Sequence, residues 1–173
     1  MKTKNCLMKR FLATVLLLLA QGISHAEEPS GLPPLPGAEY ENNAKHRELR
    51  EVRIADLVEG SPEWVARQLI LVSKKMDFVE LAKYQSPIGV WAASKMTPAA
   101  MAGLTDVNID TVMKIGDSKF EADRGYMYIV FPLADGLGGW DGGYKYFLKR
   151  DGKWIRVKSG EWQRGKFDRV PGQ

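Results

Sequence analysis

YKYFLKRDGKWIRV, from Tyr144 to Val157, is two strand-like runs joined at Asp151-Gly152. A two-residue hairpin loop needs positive φ at both central positions, and an Asp-Gly pair tolerates it. Counting outward pairs Leu148 with Ile155 and Tyr146 with Val157 on one face, and Phe147 with Arg156 and Lys149 with Trp154 on the other. The first face reads as core and the second as amphipathic. Further short runs rich in β-branched and aromatic residues lie at 109–115, 120–123 and 126–131, separated by turn residues. The run 126–131 is apolar on both faces, which predicts a central strand.

Upstream of these runs the pattern is helical. Ser61-Pro62-Glu63 supplies a capping hydroxyl, a proline at the first helical position and an early acid at the positive end of the dipole. Val65, Leu69, Val72 and Met76 then recur at i, i+4, i+7 and i+11, one face of a helix. Asp77 with Glu80 forms a second cap, predicting a restart and a short helix that ends before Pro87. Thr97-Pro98 opens a third helix within 96–104, while 46–58 fits a short helix or a strand equally. Helices first and strands afterwards predict an α+β domain, with N-terminal helices packed on a curved antiparallel sheet of four to five strands.

The helix at 62–76 followed by Met76-Asp77-Phe78-Val79-Glu80-Leu81-Ala82, together with the closing hairpin 144–157, resembles the NTF2-like (cystatin-like) superfamily. The resemblance covers about a quarter of the chain. It implies a cone-shaped pocket between the first helix and the concave sheet face, with Tyr126, Tyr128 and Tyr146 as polar groups inside it. Some members are enzymes that place an acid and a tyrosine in that pocket. Here no motif fixes an acid there, so no catalytic residue is carried over.

Residues 1–26 join a basic start, an apolar run from Phe11 to Ala20, and Ser24 and Ala26 at the −3 and −1 positions of a cut after Ala26, the layout of a secretory signal peptide. The run is about half of the ~20 residues a spanning helix needs, so no stable membrane anchor is expected after cleavage. The address is periplasmic or secreted, in a bacterial cell. Cys6 precedes the apolar run and leaves with the leader, so no disulfide is expected in the mature chain. Residues 27–44, with Pro29, Pro33, Pro34 and Pro36, read as a flexible linker, and 45–173 as a single domain. The formal charge of +4 rests on Lys2, Lys4, Lys9 and Arg10; without them 21 of the 25 basic residues face 21 acidic ones. A neutral exported domain argues against nucleic acid as a partner, despite aromatic residues interleaved with lysines in the strands.

One histidine, His46, survives cleavage, and without cysteine the usual nucleophile pairs and zinc sites cannot be assembled in one chain. The loop 134–143 holds five glycines around Asp135, Trp140 and Asp141. It fails the dinucleotide pattern and lacks the alternating acids of a calcium loop, so neither a cofactor nor a metal is expected. It reads as a long hairpin connection, or as a binding lid with Trp140 as its contact residue.

Three functions remain open at this point. The first is a non-enzymatic exported domain that binds a small apolar ligand or an envelope protein, with Tyr126, Tyr128, Trp140 and Tyr146 as candidate binding residues. The second is a small isomerase or lyase using a carboxylate and a tyrosine. The third is a protein–protein inhibitor module that inserts the Trp140 loop. An apolar pocket without an acid separates the first from the second. A homodimer through the outer sheet face, using Phe147 and Trp154, is a further expectation.

Overall fold

The computed structural model describes Leu32, Pro33, Leu35 and residues 48–104, 106–134 and 140–172. The chain divides into two compact units, Met1–Leu32 and Pro33–Gln173, and all the described helices and strands belong to the second. The leader 1–26 and its cut, His46, and residues 135–139 of the glycine-rich loop lie outside the described residues.

The domain is α+β, with one five-stranded antiparallel sheet in the order β1-β2-β3-β4-β5. The strands are β1 Arg50–Arg53, β2 Val112–Phe120, β3 Arg124–Pro132, β4 Trp140–Arg150 and β5 Lys153–Val157. β1 settles the undecided stretch, because Arg50 to Arg53 pair with Ile115 to Val112 and a 3-10 turn, Ile54–Asp56, follows. β3 is the central strand, with Met127, Ile129, Val130 and Phe131 all buried.

The hairpin forms in the expected register: Leu148 opposite Ile155, Tyr146 opposite Val157, Phe147 opposite Arg156 and Lys149 opposite Trp154. Asp151 and Gly152 both take positive φ, as its two-residue turn requires. The assignment of faces is corrected. Phe147, placed on the amphipathic face, is fully buried in the larger core cluster with Met113, Ile115, Met127 and Ile129. Leu148 and Val157 belong to a second, smaller cluster with Trp162. Both faces of this part of the sheet are covered, and a fully buried Phe147 is closed to the homodimer contact expected of it.

β2 shows why the stretch 109–123 misled. Ile115 pairs with Ile129 and Ser118 with Met127, so Gly116 and Asp117 together face one residue of β3. This bulge shifts the alternation by one, letting Ile115 and Phe120 share a face although they are five apart. Phe120 packs over Gly125, where a Cβ would fall 2.7 Å from its Cγ. Residues 121–123 are the turn into β3, closed by the Glu121 N–H donating to the Arg124 carbonyl at 2.8 Å, and not a strand of their own.

The helices begin where their caps predict. α1, Pro62–Lys75, is capped by Ser61, whose side chain accepts the Trp64 N–H, and ends at Met76 in the left-handed region. α2, Phe78–Leu81, is capped by Asp77 accepting from the Glu80 N–H. α4, Pro98–Leu104, follows Thr97, whose hydroxyl accepts the Ala100 N–H at 3.2 Å. Two helices were not predicted: α3, Pro87–Ala93, capped by Ser86, and α5, Ser159–Arg164, ending at Gly165 with φ 63. Val65 and Ala66 of α1 share the larger core cluster with the sheet, and Trp162 of α5 anchors the smaller one. Within the stretch read as linker, Leu35 packs on the smaller cluster and the Pro33 carbonyl accepts from Gln163 at 3.2 Å.

Candidate functional site

A cavity of about 330 Å³ borders α1, α2, α3, α4 and the sheet. From α1 it takes Ala66, Leu69, Ile70 and Ser73, spaced i, i+3, i+4 and i+7 along one stripe. From α3 it takes Gly89, Ala92 and Ala93, small residues that leave the space unfilled. Ile129 and Phe131 of β3 line it from the sheet. Its volume is at the lower end of the ~300–1,000 Å³ typical of small-molecule sites.

Five polar side chains are exceptions to this apolar lining among the described residues: Ser73, Gln85, Lys145, Arg156 and Lys158. Gln85 and Arg156 are brought together by the backbone. Arg156 donates its N–H to the Tyr84 carbonyl at 2.8 Å and accepts the Ser86 N–H at 2.9 Å, so 84–86 runs parallel to β5 as an isolated bridge. Ser86 is fixed in turn by Glu161, which is fully buried on α5. Glu161 Oε2 accepts the Ser86 hydroxyl at 2.8 Å and the Lys158 N–H at 2.9 Å, while Oε1 accepts the Asp168 N–H at 3.0 Å. One carboxylate thus ties the cap of α3 to α5 and holds the polar end of the cavity in place. Burial pushes the Arg156 guanidinium below the usual arginine value, and the negative charge of Glu161 opposes that shift.

The tyrosines singled out from the sequence lie elsewhere. Tyr126 pairs with Tyr146 and Tyr128 with Tyr144 across β3 and β4. Side chains alternate along a strand, so these four share the face of Leu148, opposite to that of Met127, Ile129 and Phe147. Their rings form a chain of contacts that reaches Trp162, which lies 5.9 Å from Tyr126 and 5.6 Å from Tyr146 between centroids. None of Tyr126, Tyr128 and Tyr146 borders the cavity. Burial in this aromatic group raises the Tyr146 phenol above the usual tyrosine value. Trp140 opens β4 opposite Pro132, and Gly142 and Gly143 pair with Val130 and Ile129, so the connecting loop is shorter than the sequence suggested. The Trp140 side chain lies outside the described residues.

Among the described residues two tyrosine–carboxylate pairs occur, Tyr84 with Glu80 at 3.1 Å and Tyr144 with Asp117 at 3.4 Å, and none of these four residues lines the cavity. No group of three or more His, Cys, Asp or Glu side chains among the described residues is placed to hold a metal ion. No helix among them is long and apolar enough to cross a membrane.

No family model and no curated protein matches the chain. A solution structure of a SEC-C motif containing protein from Rhodopseudomonas palustris is similar over 57% of this chain and 77% of that one, at 16% identity and a TM-score of 0.40. That likeness is too slight to carry an argument about fold or function.

Proposed function

We propose that this chain is an exported, non-enzymatic domain that holds a small, largely apolar ligand in the cavity bordered by its helices and sheet. The supporting observation is the cavity itself: among the described residues its lining is mainly apolar and includes no aspartate, glutamate, histidine or tyrosine. An isomerase or lyase working by a carboxylate and a tyrosine needs that pair within reach of the reacting atom, and the tyrosine–carboxylate pairs among the described residues lie elsewhere. On this reading the helices gather over the concave face of a curved sheet, as the NTF2-like resemblance implies, and the leader 1–26 directs export. The aromatic group around Tyr126, Tyr128 and Tyr146 is then a surface for another envelope protein or a second copy, not the ligand pocket.

The test is binding of an uncharged apolar fluorophore, 1-N-phenylnaphthylamine, to the mature protein. Ala92→Phe adds a ring to the lining helix α3. The fluorophore is expected to brighten with wild type and to lose most of that signal with Ala92→Phe, at an unchanged urea midpoint. Equal brightening by both proteins would sink the reading.

A further inference from the structure

The polar end of the cavity carries more information than its apolar body. Arg156 makes no side-chain hydrogen bond or ion pair among the described residues, although a guanidinium presents five donors. Gln85, also buried, has no hydrogen-bond partner for its amide among the described residues. The nearby acid, Glu161, accepts from Ser86, Lys158 and Asp168 and makes no hydrogen bond to either of them among the described residues; its charge acts on Arg156 through space. Lys145 and Lys158 border the same cavity, and among the described residues that line it none is acidic. Among the described residues the buried polar side-chain atoms without a partner are Arg124 Nε and Trp162 Nε1, so the head groups of Arg156 and Gln85 keep contact with solvent and are open to an entering group of opposite charge.

The arrangement is built rather than incidental. The parallel bridge between 84–86 and β5 sets Gln85 beside Arg156. Gly89, one turn further on, keeps room for the Gln85 side chain, since a Cβ there would fall 2.6 Å from Gln85 Cγ. Glycine within a helix is otherwise unfavourable by about 1 kcal/mol against alanine.

We infer that the ligand of this cavity is a single-chain amphiphile with a carboxylate head, and that Arg156 and Gln85 bind the head while the lining of α1 and α3 takes the chain. The inference rests on the ligand-binding reading above and adds the chemical class. A planar two-oxygen head matches the fork of a guanidinium and can accept a further N–H from the neighbouring amide. At roughly 30 Å³ for each non-hydrogen atom, the volume a water occupies, the cavity has room for a chain of about ten carbons.

The experiment compares decanoate with decanol, which share the chain and differ in the head, by isothermal titration against wild type, Arg156→Gln and Gln85→Leu. Decanoate is expected to bind wild type at least about tenfold more tightly than decanol. Arg156→Gln should weaken decanoate about 30-fold or more and leave decanol nearly unchanged, because only the charged head loses its partner. Gln85→Leu should weaken decanoate by a smaller factor. Equal affinity of wild type for both compounds overturns the carboxylate assignment and leaves the apolar-ligand reading standing. Binding of neither, in a protein that also fails to brighten the fluorophore, overturns both. Should Arg156→Gln fail to fold, the wild-type ratio and Gln85→Leu still decide the question.

Discussion

Replacing Glu161 tests the central support of the site. Its carboxylate is fully buried and accepts three hydrogen bonds, from the Ser86 hydroxyl at 2.8 Å, the Lys158 N–H at 2.9 Å and the Asp168 N–H at 3.0 Å. Glu161→Gln keeps the shape but replaces one acceptor oxygen with an amide donor. Whichever way the amide is turned, its donor meets a backbone N–H, of Asp168 or of Lys158, and leaves that group unpaired. Hydrogen bonds to a charged group contribute ~1.5–3 kcal/mol each, and an unsatisfied buried donor costs ~1–3 kcal/mol, so a loss of about 2–4 kcal/mol is expected. With a urea slope of ~1–3 kcal/mol/M, the midpoint should fall by about 1–2 M. Ser86→Ala should fall by less, because it removes one of the three bonds and a long capping contact to the Gly89 N–H at 3.4 Å. The two substitutions share a bond, so their combined effect should be less than additive. The opposing outcome has a physical basis: buried charges are sometimes a net liability, and a neutral replacement can then stabilise. A Glu161→Gln midpoint equal to or above wild type would refute the claim that this carboxylate holds α3 to α5.

Two further substitutions probe the cavity and the aromatic face. Gly89→Ala should destabilise by about 1–3 kcal/mol, because the new methyl meets Gln85 and the strain outweighs the better helix propensity; a rise in thermal midpoint would contradict the close approach. Burial raises the Tyr146 phenol above 10.0, so the folded chain holds that proton more tightly than the unfolded one. Its stabilising share is therefore full below about pH 10 and lost as pH rises through the folded value. Tyr146→Phe should flatten that part of the alkaline stability loss, measured by urea unfolding across the range. Tyr84, raised by burial and by its bond to Glu80, keeps its own share in the variant.

Local signals in the sequence were dependable wherever a single side chain decides a backbone conformation. Ser61 before Pro62, Asp77 before Glu80 and Thr97 before Pro98 each mark a helix start, and Asp151-Gly152 fixes the hairpin register. Ser86-Pro87 carries the same signal as Ser61-Pro62, yet a proline met at the end of a helical stretch reads as a stop as readily as a start. α5 lacks such a signal at its start, since Lys158 offers no acceptor side chain; its Glu161 and the left-handed Gly165 were the available pointers. The bulge at Gly116-Asp117 resets the alternation of β2, so no periodic reading could place both Ile115 and Phe120.

The site was less legible than the fold because its polar end joins distant parts of the chain. Arg156 reads locally as one more cation on an amphipathic strand, and Gln85 as a residue in a loop. Only the bridge between them makes a pair, and Ser86 and Glu161, which secure it, are 75 residues apart. Glutamate is almost never fully buried without partners, and its partners here cannot be inferred from spacing. The tyrosines drew attention as polar aromatics, but strand alternation puts them on the face away from the cavity.

The most direct test of the ligand-binding account is native mass spectrometry of the mature protein, purified without denaturation and then compared with the same sample after unfolding. The account predicts a reproducible added mass of a small amphiphile that disappears on unfolding and is reduced or absent in Ala92→Phe. A bare protein mass that stays bare after incubation with decanoate and with decanol would contradict it.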